Sequence, residues 1–131
     1  MANDLIPFFE NASRVTCVAT GAVTGKRFVS ISAEPNANGT YSVAATGAAG
    51  KVFGVACWDA AIGDQVTVVT VPSGQIVPVT ASGAIAAGAS VKPGAAGVAV
   101  AATATDRAYG ICVVGAADGE DAAIQLIPHT A

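Results

Sequence analysis

The sequence predicts an all-β protein, a small barrel or sandwich of about ten short strands with Gly and Pro corners. Runs of Val, Ile and Thr with a period of two recur between clusters of Gly, Pro and Asn, the pattern of short strands bounded by turns. No stretch sustains a 3.6-residue apolar period with capping residues. Two segments, FGVACWDAAIGDQVTVV at 53–69 and YGICVVGAADGEDAAIQ at 109–125, repeat one phrase 56 positions apart. Phe53 matches Tyr109, Gly54 matches Gly110, Ala60-Ala61 matches Ala116-Ala117, and Gly63 matches Gly119. The phrase has the form of a strand, an Ala-Gly corner and a second strand.

Residues 1–14 form a short N-terminal arm and 15–131 a single β domain. In the arm, the apolar run Leu5, Ile6, Pro7, Phe8, Phe9 precedes any strand signal and has no repeat counterpart. It reads as a segment that docks, either on a partner or back onto its own domain. Val15 to Thr20 alternates weakly, and Phe28 to Ile31 alternates clearly. Asn38-Gly39 is a strong hairpin signal, with Tyr41 to Thr46 returning. The first repeat places strands near 52–57 and 65–71. Pro72-Ser73-Gly74 turns the chain, and Gln75 to Thr80 is expected to pair back. Pro93-Gly94 predicts a type II turn between strands near 90–92 and 98–101. The second repeat adds strands near 108–114 and 122–127, leaving 128–131 as a tail. A fainter echo places Gly25, Gly63, Gly88 and Gly119 just ahead of strands.

The glycines of the repeat have separate expected roles. Gly54 and Gly110 lie inside strands, where glycine marks a close approach by a neighbour. Gly63 and Gly119 sit at corners that call for backbone angles a Cβ resists.

Hydrophobic residues make up 53% of the 131-residue chain, much of it Ala, and aromatics only 5%. The core is therefore thin, and a small domain of this kind gains by packing on neighbours. Charged residues are 11%, well below the roughly 25% of ordinary soluble domains. The six Lys and Arg are scattered and the net charge is −3, so no basic patch exists to neutralise phosphates and nucleic acid is not an expected partner. The apolar stretch 81–105 is broken by Lys92-Pro93-Gly94 and by further Gly, which excludes a helical membrane span. The start, MANDLIPFF, carries an acid and no basic segment, unlike a secretory signal.

Three cysteines, Cys17, Cys57 and Cys112, follow no metal-binding spacing. Cys57 aligns with Val113 and not with Cys112. Because side chains alternate along a strand, the two point to opposite faces and three free thiols are expected. The lone His129 is the third residue from the end of the sequence, where an imidazole is rarely held as a triad requires. Asp118-Gly119-Glu120-Asp121 lacks the calcium-loop pattern, and the corner acids read as solvated turn residues. No enzyme activity and no cofactor are expected. Trp58, whose repeat counterpart is the small Val114, is the candidate interface anchor.

The small-residue phrases Phe53-Gly54-Val55-Ala56, Asp59 through Val66, Ile85 through Val91, and Tyr109 through Glu120 resemble the decoration, or cement, proteins of tailed bacteriophage capsids. The likeness runs over about 50–127, while 14–46 is longer and more hairpin-like than the family pattern. The resemblance implies a non-enzymatic virion protein, made in the host cytoplasm, that binds the outer head shell. It implies bridging of major capsid protein subunits, commonly as a homotrimer. Leu5, Ile6, Pro7, Phe8, Phe9 and Trp58 are the candidate capsid or subunit contacts. A carbohydrate-binding β-module is the alternative, but it needs an exposed aromatic platform. A small hydrolase is disfavoured because the chain shows no nucleophile–base pair.

Overall fold

The computed structural model describes residues 13–131; the arm residues Leu5 to Phe9 lie outside the described part. Ten strands run in order: β1 Arg14–Ala19, β2 Phe28–Ala33, β3 Tyr41–Ala45, β4 Gly54–Ala56, β5 Gln65–Thr70, β6 Ile76–Thr80, β7 Ser90–Pro93, β8 Ala99–Ala101, β9 Arg107–Val114 and β10 Asp121–Thr130. The first five close into a barrel of order β1-β3-β2-β4-β5, and the last five form a sheet of order β6-β10-β9-β7-β8. The expected all-β architecture is thus present, as a barrel plus a second sheet.

The repeated phrase is the visible part of a duplication that spans the described chain. β4 pairs with β5 through Gly54↔Thr70, Val55↔Val69 and Ala56↔Val68. β9 pairs with β10 through Gly110↔Leu126, Ile111↔Gln125 and Cys112↔Ile124, each partner 56 positions on. Upstream the same holds at 62 positions: Cys17↔Val66 in β1–β5 becomes Val79↔Ala122 in β6–β10. Phe28↔Val55 becomes Ser90↔Ile111, and Val29↔Ala45 becomes Val91↔Ala101. The offset changes inside the β2–β3 hairpin. Eleven residues separate the paired Ile31 and Val43, against five between Pro93 and Ala99.

Each unit is filled by its inward positions. Val15, Cys17, Ala19, Val29, Val43, Val66 and Val68 make the first core, and Val79, Ala81, Val91, Cys112, Ala122 and Ile124 belong to the second. Three residues of the first unit, Phe28, Val55 and Val69, complete the second core. They point outward from the first barrel, and the second unit is open where they enter. β1 and β3 pair in parallel at Cys17↔Tyr41, Val18↔Ser42 and Ala19↔Val43, whereas β6 and β8 are joined only by the bridge Ala81↔Ala99. Beside that bridge the Thr80 N–H donates to Lys26 O at 2.9 Å, so the first unit's chain occupies the place a closing strand would take. Gly97, at φ +78, lies so close to Phe28 O that a Cβ there would overlap it.

Several local expectations are corrected. Residues 75–80 do not pair back on β5; β6 crosses to β10, because it repeats β1 and takes β1's partner. The turn at Pro93-Gly94 is displaced. Pro93 ends β7, Gly94 is extended, and the chain turns at Ala95–Gly97 with Ala96 at φ 56. Residues 128–130 are no tail, since β10 continues to Thr130 against Arg107.

Candidate attachment surface

The two corners 57–64 and 113–120 are built alike. In the first, Ala60 and Val23 exchange backbone hydrogen bonds of 2.9 Å, and the Gly63 N–H donates to Ala19 O. In the second, Ala116 and Ile85 exchange bonds and the Gly119 N–H donates to Ala81 O. Gly63 and Gly119 take φ of +89 and +81, the left-handed region that favours glycine. Gly54 and Gly110 face inward at equivalent places. A Cβ on Gly54 would overlap Val69 O, and one on Gly110 would overlap the Ile124 side chain.

These corners carry Trp58, Ile62, Val113 and Val114, four of the exposed large apolar residues, with Ile31 and Ile76 lying on strands elsewhere. Trp58 is 49% exposed, with its indole Nε1–H donating to Gln65 O at 3.1 Å. The bond satisfies the one polar atom of the ring and leaves the remainder of its face outward. Gly25 lies against the Trp58 backbone, where a Cβ would come within 2.9 Å of its Cα. Ile62, at the tip of the same corner, is 72% exposed. In the second unit Val114 occupies Trp58's place and is 60% exposed, next to exposed Val113. Ile62, Val113 and Val114 were missed from sequence. An apolar residue one step before a turn glycine, as Ile62 is before Gly63, was the signal that could have found the first.

The corner acids hold loops in place. Asp59 Oδ1 accepts from the Gly25 N–H at 2.8 Å, and Asp118 Oδ1 from the Gly83 N–H at 2.7 Å. Asp121 accepts from Lys26 Nζ and from Thr80 Oγ1, tying the second unit to the first. The hydrogen bonds from Lys26 and Thr80 hold its carboxyl below the usual range. Asp106 is lowered to about 2, first by the hydrogen bond from Lys92 and then by those from Thr103. His129 is held after all, because its strand continues: Nε2 lies 2.9 Å from Ser90 Oγ and Nδ1 2.9 Å from Ile127 O. The three thiols are free, Cys57 exposed and Cys17 and Cys112 buried. Burial pushes the Cys17 thiol up to about 11 and raises Cys112.

Exposed apolar corners on a weakly charged chain that pairs a barrel with a second sheet are the form of a protein that packs against others. The family model of phage cement proteins matches residues 9–127. The chain belongs to the phage cement protein family. Membership places this cement protein among structural proteins associated with the phage capsid, and so in the virion. Its fold is similar to that of the head fiber gp8.5 N base in bacteriophage phi29. The TM-score is 0.72 at 21% identity, over 86% of this chain and 92% of that one. No curated protein matches the sequence.

Proposed function

We propose that this cement protein binds the outer surface of the head shell as a homotrimer and stabilises it by bridging major capsid protein subunits. The observation that carries the reading is the family match over nearly the whole chain. Three features agree with it. The solved structure of like fold is the base of a phage head fiber. The low charge suits a surface that spends its life covered. The doubled corner offers one exposed apolar contact per unit, Trp58 with Ile62 in the first and Val113 with Val114 in the second. Many weak contacts repeated over a lattice act together, and a protein that binds only the finished shell stabilises it by linkage. Synthesis in the host cytoplasm and a non-catalytic role belong to the same proposal.

Trp58 is the proposed anchor. An indole leaving water at an interface centre is the type of residue whose truncation costs about 2 kcal/mol or more of binding. The test compares heat release of packaged genomes from shells with and without the protein. A raised release temperature is expected in the decorated shells, and equal temperatures would remove the cementing role. Trp58→Ala is expected to lower shell occupancy while leaving the far-ultraviolet circular dichroism unchanged. Normal decoration by that variant would remove the anchor alone. Native mass spectrometry of the free protein checks the trimer.

A further inference from the structure

We propose that the groove along the free edge of β6 receives an extended acidic segment of the head shell, which adds to β6 as a strand. The inference rests on the capsid reading above and names where on the molecule the shell would be held. The groove has a volume of about 230 Å³. Its floor is the outward face of the first barrel at Val55, Cys57 and Val69, and its wall is β6 at Val77 and Pro78. Arg14 and Lys26 complete the lining. The register Arg14↔Val69 sets the first beside the floor, and the Lys26 N–H, which donates to Ala56 O at 2.9 Å, sets the second there too.

The wall of this groove is an unpaired strand edge. β6 pairs with β10 on one side, without a register shift from Asp121↔Thr80 to Gln125↔Ile76. On the other side it meets β8 only at Ala81↔Ala99 and the first unit's chain only where the Thr80 N–H donates to Lys26 O. That bond fixes the alternation of the ladder. Thr80 points its N–H away from β10, so Ile76 and Pro78, two and four positions earlier, point theirs the same way. The Leu126 N–H, which donates to Gln75 O, agrees from the other parity. The groove side of β6 therefore presents the Ile76 N–H, the Ile76 carbonyl and the Pro78 carbonyl, with no hydrogen bond to any of them among the described residues. Pro78 stands at the one parity where a missing N–H leaves the β10 ladder whole. A row of open backbone groups beside an apolar floor is the setting in which an extended segment adds to a sheet. Ile76 to Pro78 spans about 7 Å, so the added strand is short and its hold weak in any one copy, as suits a contact repeated over a lattice.

Charge selects the occupant. The chain carries a net charge of −3 and only six Lys and Arg, yet two of the six line this groove and no acid does. Lys26 is paired with Asp121 at 2.8 Å. Arg14 is exposed and has no ion pair among the described residues. A carboxylate on the incoming strand would supply the missing partner. A second copy of this chain does not offer such a strand. Among the described strands only β10 holds an acid, Asp121, and β10 is paired on both sides, with β6 and with β9. Asp59 and Asp118 lie at the corners, where backbone N–H groups already hold them. The acidic extended segment therefore comes from a different protein, and the shell is the partner that the family match supports.

The experiment uses the full chain and has two arms. In the free, dilute protein, hydrogen exchange of the Ile76 amide is followed by nuclear magnetic resonance beside Val77 and Val79, whose N–H groups bond β10. Ile76 should exchange at least about tenfold faster. Exchange as slow as that of Val77 would show the edge already covered, by this chain or by a second copy, and would overturn the proposal. In the second arm, undecorated heads are titrated with the wild-type protein and with Arg14→Glu, Ile76→Pro and Ile76→Ala. Ile76→Pro removes the groove-side donor and leaves the β10 ladder, while Ile76→Ala removes the side chain and keeps the donor. Arg14→Glu should raise the half-saturating concentration about tenfold, Ile76→Pro about fivefold, and Ile76→Ala less than about twofold. Normal binding by Arg14→Glu, or equal losses for Ile76→Pro and Ile76→Ala, would overturn strand addition and leave the cementing role standing. If Ile76→Pro does not fold, Arg14→Glu and the exchange of Ile76 decide alone. Heads that take up no wild-type protein would overturn the capsid reading, and this inference with it.

Discussion

The first unit is a closed barrel and the second, strand for strand the same, is open along one seam. Apart from the seam itself, where β1 and β3 form a ladder but β6 and β8 share only a bridge, the backbone registers agree at every paired position compared above, so register does not make the difference. The outward side chains do. Phe28, Val55 and Val69 face out from the first unit, and their counterparts are Ser90, Ile111 and Gln125. The first set is apolar because it fills the second unit's core. The second set is half exposed and polar at two of three places, and Ser90 there engages His129 rather than a neighbouring core. One fold thus acts as insert in one copy and receiver in the other. That division lets a chain with few large side chains assemble a second core from both units.

Phe28→Ala is the strongest way to break this arrangement. The ring is fully buried, and its removal should cost about 3–5 kcal/mol by leaving a cavity at the seam. Ser90→Ala, at the matching place, should cost only about 1 kcal/mol for its hydrogen bond. Denaturant unfolding compares the two, and similar losses would refute the insert-and-receiver division.

The paired glycines sharpen the comparison. Gly54→Ala and Gly110→Ala should each lose about 1–3 kcal/mol through overpacking, and Gly54→Ala should lose more. Its added methyl meets the Val69 carbonyl at the closest approach, whereas at Gly110 the nearest obstacle is the Ile124 side chain and the Gln125 carbonyl stands farther off, at 2.9 Å. Equal losses would show that the two strand pairs yield alike.

The thiols probe the same two interiors. A thiol reagent should label Cys57 quickly in the native protein, with Cys17 and Cys112 reacting only on opening, because their burial keeps them protonated. Denatured, unreduced protein should release three thiols per chain. Fast native labelling of Cys112 but not Cys17 would mean that the seam of the second unit opens first.

The smallest effect concerns acid. Asp121, across the units, and Asp106, within the second, both have carboxyls lowered by their partners. A lowered folded-state value contributes stability above the unfolded value of about 4, and that contribution is lost as pH falls through the folded value. For Asp106 the window runs from about pH 4 to about 2. Asp106→Asn should flatten the acid limb of stability there and lower stability modestly at pH 7, where that contribution is fully present, the loss kept small because the pair is solvent-accessible. An unchanged acid limb would remove this role. Asp121→Asn should act in the same direction and also free Lys26.

Strand positions were largely readable because period-two runs end at Gly, Pro or Asn throughout the chain. The duplication was readable only at β4–β5 and β9–β10. There the corners at Gly63 and Gly119 and the close approaches at Gly54 and Gly110 tolerate few residue types, so both copies keep one phrase. β1 and β6, or β2 and β7, share only an inward pattern that many apolar residues satisfy. The longer β2–β3 hairpin also shifts the offset between them. Trp58 could be singled out as a bulky residue at a corner, and it is exposed. Ile31, Val113 and Val114 could not, because exposure at a strand end depends on what lies across it.

By itself, then, the sequence determined the all-β class, the strand–corner–strand unit, the free thiols and the likeness to cement proteins. These depend on local backbone chemistry and on alternation along a single strand. Only the tertiary structure decided that β6 leaves β5 for β10, that Phe28 serves the neighbouring unit's core, and that one barrel closes while its twin stays open. Those outcomes turn on which surfaces meet across long sequence separations, and an outward-facing Phe carries no local mark of the partner that will cover it.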